Sequence, residues 1–431
     1  MRRSACIVAV VIAVASSSAL AQDTVVEGAG YEISEGTVVH PRASLSTGYI
    51  SNVFYEAGDE GGSGSAVIRL GLSAALASEH NRPAGAVESP LESAESLGPA
   101  ARSSPSLDYR LTGRLDYTQH ISGNNNVKEQ NGFSSLALGI DAHLVTMPDG
   151  PLSFMVDNRF TRDVRPRNYD FHGNFNRVIN RLRGGLRWRP GRGALQFSAR
   201  YENTLDIFES ELPGVGNRMN QLLRGRAEWQ FLPITRFYLD ASYGFFGPMG
   251  DSDKPTSTPL RILLGGASAI TENTTLRVHA GFGKGFYSAG AGMAGAEFTG
   301  PLLGAEFGMR YRSTGRFTVA YQYDFRDALG ASFYRDHAVQ AKVDQQIDQI
   351  LLHILADIRL RGYRGVFTGG EGTRDDFILR LGTRVHYVLR DWLALTGEID
   401  VVSDTTSFTD AMGNDPSYNR LEIQFGAQGA L

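Results

Sequence analysis

The sequence predicts an all-β fold: a closed antiparallel transmembrane β-barrel of about 18 strands. The clearest sign lies in residues 177–207. There Leu182, Gly184, Leu186 and Trp188 alternate with Arg181, Arg183, Gly185 and Arg187. After a Pro190-Gly191 break, Leu195, Phe197, Ala199 and Tyr201 alternate with Gln196, Ser198, Arg200 and Glu202. Period two on both sides of a turn is a β-hairpin, because a helix would scatter these arginines round its axis and leave no apolar stripe. One face is too charged for a sandwich core and the other is apolar, as suits a strand between lipid and a wet lumen. A second sign is composition: 50 glycines, 10% aromatic and 42% hydrophobic residues in 431, yet no interior run of the roughly 18 apolar residues that a membrane helix needs. The third is a strand and turn rhythm that persists to the C-terminus.

In chain order, Arg2-Arg3, the apolar run 6–15 and Ala19-Leu20-Ala21 before Gln22 have the order of a secretory signal peptide, placed at 1–21. Cleavage there would remove Cys6, the only cysteine, and with it any disulfide or thiol chemistry. Residues 22–41 form a periplasmic lead segment without a core of its own, and residues 42–431 form the barrel. The first strands are read at 42–54 and 65–78, joined by the Gly-rich stretch 58–64. Between them and the next strand, residues 79–106 hold four prolines and no alternation. They predict a flexible periplasmic connection, either a tolerated insertion or a tether for a periplasmic partner.

The remaining strands, of roughly 11 to 15 residues, pair as 107–122 with 132–146, 152–164 with 177–189, 194–209 with 219–231, and 235–247 with 259–270. They continue as 274–287 with 298–312, 316–327 with 334–346, 350–363 with 375–389, and 392–403 with 418–428. Short turns such as Pro148-Asp149-Gly150 and Arg390-Asp391 alternate with longer polar connections such as 165–176 and 404–417. This is the arrangement of an outer-membrane barrel, with short turns and both termini in the periplasm.

Parity assigns the faces. In 316–327, Phe317, Val319, Tyr321, Tyr323 and Phe325 are expected to face lipid, and Thr318, Ala320, Gln322, Asp324 and Arg326 the lumen. The same rule makes pore-lining residues of Arg110, Arg114, Arg181, Arg183, Arg187, Arg200, Arg224, Arg226, Arg310, Arg359, Arg380 and Arg384. A charge at the lipid midplane would cost about 2–4 kcal/mol, so the lumen side is the favourable one. These arginines either neutralise Asp and Glu across strands or stay free to guide an anionic or hydroxyl-rich solute.

No catalytic residue, metal site or cofactor site is predicted. His120 and Ser122 have the His-x-Ser order of an activated nucleophile, but their parity is that of lumen-side Arg114 and Asp116, not of the lipid-facing wall where outer-membrane lipases work. The glycines of 290–295 match a dinucleotide fingerprint without a following helix. The carboxylates of 404–415 lack calcium-loop spacing, and His353 and His386 read as hydrogen-bonding wall residues. A formal net charge of -4 speaks against a nucleic-acid partner.

Gly48-Tyr49-Ile50-Ser51-Asn52-Val53-Phe54, leading into an acidic Gly-rich loop, resembles the Gly-Tyr-x-x-Asn-Val-Phe opening of outer-membrane β-barrel porins associated with exopolysaccharide export. The resemblance implies a conduit for a secreted polysaccharide, working with a periplasmic polysaccharide export protein and a chain-length-control protein. A general or anion-leaning diffusion porin for small solutes is the alternative. The last strand, with Leu421, Ile423, Phe425, Ala427, Gly429 and Leu431 in phase, resembles the C-terminal signal read by the barrel-assembly machinery, although it ends in Leu431 and not an aromatic residue.

Overall fold

The structure is a computed structural model. It describes residues 26, 28–34, 36–57, 63–78, 106–164, 176–191, 193–209, 216–250, 255–288, 296–312, 314–366, 373–406, 408–409 and 415–431. The predicted signal peptide, almost all of the 79–106 connection, the glycines of 290–295 and much of 404–417 lie outside the described residues.

Alternating apolar and polar residues make strands nearly wherever the period of two is sustained, and each strand pairs with the next in antiparallel register. A short strand β1 (Tyr31–Ser34) pairs with β2 (Thr37–Ile50). The series continues through β3 (Ser65–Ser78), β4 (Leu107–Ile121), β5 (Leu136–Thr146), β6 (Leu152–Asp163), β7 (Arg177–Trp188), β8 (Leu195–Phe208) and β9 (Asn217–Leu232). Next come β10 (Thr235–Met249), β11 (Ser257–Thr271), β12 (Thr274–Tyr287), β13 (Phe298–Tyr311) and β14 (Gly315–Asp327). The last are β15 (Ala331–Ile347), β16 (Ile350–Val366), β17 (Thr373–Arg390), β18 (Leu393–Thr406) and β19 (Tyr418–Ala430). Of the 19 strands, β1 pairs only with β2; the other 18 close into a barrel through the β2–β19 register Arg42↔Ala430 to Ile50↔Glu422.

Several strand boundaries differ from the sequence reading, most at the first barrel strand and at β5. The first barrel strand starts at Thr37, not at residue 42, because Val38 and Val39 find partners in Ala77 and Leu76. Residues 132–135, expected as strand, form a 3-10 turn after the short helix α1 (Asn125–Lys128), which is capped by the Asn124 side chain. Val127 of α1 is fully buried against Ile50, Val53 and Val67, and that contact outweighs strand propensity.

One end of the barrel gathers the termini: the Leu431 amide donates to the Pro41 carbonyl and the Gly28 amide to the Asp391 carbonyl. The tight turns lie at this terminal end, and the connections 51–64, 122–135 and those between later strand pairs lie at the far end. The wall has two unlike faces. The exposed large apolar side chains, among them Leu70, Leu115, Leu186, Leu239, Leu264 and Ile358, share one phase. The other phase holds charges that bridge non-adjacent strands. Arg69 of β3 reaches Glu422 of β19 past β2 at 2.8 Å, and Arg261 of β11 reaches Asp324 of β14 at 3.2 Å. Such chords are possible only on the concave side, so this phase is the interior.

At the far end the wall itself turns inward. Pairing of β13 with β14 stops at Leu303↔Tyr323, while β13 runs on to Phe298 beside β12 and β14 runs on to Asp327 beside β15. Phe325, predicted to face lipid, is therefore corrected: it is 0% exposed and stacks on Phe298 at 4.1 Å. Phe298 and Leu302 are inner-phase residues of β13, so the outward side of the β14–β15 tip packs against the inside of its neighbours. Phe333 stacks on Tyr287 at 5.2 Å, and the Ser257 hydroxyl donates to Asp327 at 2.7 Å. Gly283 and Gly285 make room; a Cβ there would sit 2.7 and 2.9 Å from the Phe325 ring. The tip is a docked flap on the inner wall.

Candidate functional site

The candidate site is the inner wall, and period two positions it, since every second residue of β2–β19 points inside. All 12 predicted arginines have the inner phase. They sort into three groups by what they touch.

Eight are ion-paired. Arg114 holds Asp116 at 2.8 Å on the same strand, and Arg181 and Arg183 share Glu202 at 3.3 and 2.6 Å. Arg224 pairs with Asp240 and Arg226 with Glu228, each at 2.6 Å, and Arg226 also lies over the Tyr238 ring. Arg359 and Asp357, and Arg380 and Asp400, are 2.7 Å apart, and Arg384 is 3.4 Å from Glu398. Arg187 instead donates to the Pro148 carbonyl at 2.8 Å and to Ser153 at 3.2 Å, so it clamps the β5–β6 turn. Arg110, Arg200 and Arg310 form no ion pair among the described residues. For eight of the 12, neutralisation by a nearby carboxylate is the local reading, across strands for Arg181, Arg183, Arg224, Arg380 and Arg384 and along one strand for Arg114, Arg226 and Arg359.

The distribution of charge is uneven. On their inner phase β7, β8 and β9 carry eight arginines against three carboxylates, Glu202, Asp206 and Glu228. Arg200 stands directly beside Arg224 in the β8–β9 register, with Gly185 as its neighbour on β7. Two guanidiniums side by side repel unless an anion or intervening carboxylate offsets them. Arg224 has Asp240, but Arg200 is left with surplus positive potential. Half-way round the barrel, β16–β19 balance their cations more closely: Arg361 with Asp336, Arg374 with Asp376, Arg380 with Asp400, and Arg69 and Arg420 together on Glu422.

Several of these partners were absent from the sequence selection. Arg69, Arg261, Arg374 and Arg420 all have inner parity, and parity alone could have found them, as it does Arg361 beside Arg359. His353 and His386, far apart in sequence, stand with ring centres 5.7 Å apart, and His353 hydrogen-bonds Asp344 at 2.7 Å. Antiparallel pairing of β16 with β17 brings them together, which no local spacing reveals. Among the described residues no group of three or more His, Cys, Asp and Glu is placed to hold a metal ion. His120 and Ser122 do not form a nucleophile and base: the Ser122 hydroxyl donates to the Gly64 carbonyl at 2.9 Å, and His120 is buried on the inner phase.

The Gly48-to-Phe54 stretch has a structural role. A Cβ at Gly48 would lie 2.0 Å from the Ile423 carbonyl, so glycine lets β19 approach. Asn52, 3% exposed, donates to the Glu56 and Asn419 carbonyls and accepts from the Glu56 amide. These residues seal the far end of the closing seam.

The outer wall is that of a membrane-spanning β-barrel. Its outward phase is apolar and carries an aromatic rim toward the terminal end, with Trp188, Phe197, Trp229 and Phe237, while Phe245 and Phe286 stand exposed toward the far end.

No family model matches the chain, and no curated protein matches it. Among solved structures, Pseudomonas aeruginosa OpdQ is similar with a TM-score of 0.46 and 9% identity over 92% of this chain and 98% of that one. Pseudomonas aeruginosa OpdK with vanillate gives 0.44 and 10% over 91% and 99%, and Pseudomonas aeruginosa OpdL gives 0.44 and 12% over 92% and 99%.

Proposed function

We propose that the barrel is a diffusion porin for small anionic solutes, a conduit and not an enzyme, with its termini in the periplasm and its far end at the cell surface. The observation that carries this is the surplus of inner-wall arginine on β7–β9, with Arg200 beside Arg224 and without an ion pair among the described residues. In a narrow aqueous lumen with low-dielectric walls, such a stripe raises the local concentration of anions. The docked β14–β15 tip supports passage of small solutes, because it takes up lumen cross-section at the far end.

The resemblance of residues 48–54 implied a polysaccharide conduit with export and chain-length-control partners. Sugar rings bind by laying their apolar faces on flat aromatic surfaces. Among the described strand residues the exposed aromatics are all of the outward phase, while Tyr238, Phe246, Tyr287, Tyr363 and Tyr418 of the inner phase are buried. The small-solute reading is the better supported.

The test is the reversal potential of reconstituted channels under a salt gradient. Arg200→Glu should move it toward cation preference without preventing insertion, because the lipid face is untouched. An unchanged reversal potential would overturn the anion reading, and failure of Arg183→Glu to insert would show that the parity is inverted.

A further inference from the structure

Apart from Asp327 on the infolded tip, the outward phase of β2–β19 carries only five charged side chains among the described residues: Arg162, Lys284, Arg335, Arg364 and Asp375. All five stand at the far end of their strands, so the charged rim of the lipid face belongs to one leaflet. Arg162 is engaged by Glu209 and by the Phe133 carbonyl. Lys284 sits over the Phe286 ring at 4.5 Å. Arg335 and Arg364 differ, because they converge.

The point of convergence is Gly362. It is opposite Arg335 on one side and Asp375 on the other, and a Cβ there would come 2.8 Å from the Asp375 carboxylate, 3.4 Å from Arg364 Nη1 and 3.5 Å from Arg335 Nε. Glycine therefore leaves a notch ringed by two guanidiniums and one carboxylate. Arg364 lies 3.2 Å from Asp375, whose side chain is 74% exposed, and Arg335 forms no ion pair among the described residues. The notch opens into a groove of ≈ 620 Å³. One residue row toward the membrane centre, its floor is Leu360 and Phe377, 56% and 43% exposed, beside His337, which stacks on Tyr323 and hydrogen-bonds Tyr321 at 3.0 Å. The groove runs from Arg335 and Asp375 at the rim, with Arg364 held beside them by the Tyr363 carbonyl and Asp375, down to apolar side chains within the hydrocarbon zone.

We infer that this groove binds a phosphorylated lipid of the leaflet at the far end, with a headgroup phosphate between Arg335 and Arg364 and an acyl chain along Leu360 and Phe377. Guanidinium suits phosphate because its planar fork donates two parallel hydrogen bonds. With the termini in the periplasm, as proposed above, the lipid is the phosphorylated glycolipid of the outer leaflet.

The intact protein is reconstituted with lipid A, with dephosphorylated lipid A or with phosphatidylglycerol, and the lipid retained after detergent exchange is weighed by native mass spectrometry. Wild type should hold lipid A, and the Arg335→Ala/Arg364→Ala double variant should hold it roughly thirtyfold more weakly, as for two guanidiniums removed from an anionic surface. Asp375→Asn should retain more than wild type. Equal retention by wild type and double variant, or equal retention of dephosphorylated lipid A, overturns the site. Preference for phosphatidylglycerol overturns the glycolipid as its occupant. The reversal potential measured on the same preparations reports on anion conduction separately.

Discussion

Replacing Phe325 by alanine should undock the β14–β15 tip and widen the far mouth of the channel. The Phe325 ring is fully enclosed by Phe298, Leu302, Arg261 and the backbone at Gly283 and Gly285. Removing a ring so buried costs about 3–5 kcal/mol, and the lost stack on Phe298 is part of that cost. In the folded barrel the loss falls on tip docking alone, because the membrane strands do not depend on this contact. At about 1.4 kcal/mol per decade, the undocked population rises roughly two to three and a half decades. The anchors that remain are the Tyr287–Phe333 stack, the Ser257–Asp327 hydrogen bond and the contacts of Arg261 with Asp324 and the Phe325 carbonyl. Single-channel conductance in planar bilayers and liposome swelling with sugars of increasing size are the assays. We expect higher conductance and a larger exclusion limit for Phe325→Ala, near-normal values for Phe325→Leu, and heat-modifiable folded barrel in both. Unchanged conductance and swelling in Phe325→Ala would mean that the tip does not limit passage.

Two further predictions concern the far rim and the seam. Gly48→Val should block assembly, because its Cβ would overlap the Ile423 carbonyl; folded, heat-modifiable protein at normal yield would contradict the seam described here. Arg162→Ala removes hydrogen bonds to the Phe133 and Leu136 carbonyls and leaves Glu209 without its guanidinium, a loss of roughly 3 kcal/mol at the rim. Limited proteolysis should then cut within residues 125–135 while the strands stay protected, and an unaltered cleavage pattern would count against the brace.

Most of the fold was legible because a membrane barrel obeys a local rule. Each strand must hide one face from water and the other from lipid, so period two marks both the strand and its orientation, and 65–78 and 274–287 agree with the structure to the residue. Parity could not show where the wall departs from itself. Phe325 keeps the outward phase of Tyr321 and Tyr323, but the backbone beneath it has left β13, so the same phase faces a different surroundings. The candidate site was legible as a set of inward arginines and not as a set of partners. Arg183 meets Glu202 across strands while Arg114 meets Asp116 along one strand, and only register distinguishes the two.

The seam between β2 and β19 makes demands on time as well as on geometry. Every other pairing in the barrel joins neighbours in the chain, but Ile50 meets Glu422 across more than 370 residues. Loop-closure entropy grows only slowly with length, so the seam adds little to the final free energy. Its effect is on order: hairpins can form as the chain is delivered, while closure has to wait for the last strand to arrive. Until then the sheet has two raw edges, at β2 and β19, whose amides and carbonyls lipid cannot satisfy. Gly48 and Gly426, where a side chain would strike the opposing backbone, leave those edges free to meet in a single step. An unfinished barrel of this chain is therefore the species that most needs an assembly partner to shelter it.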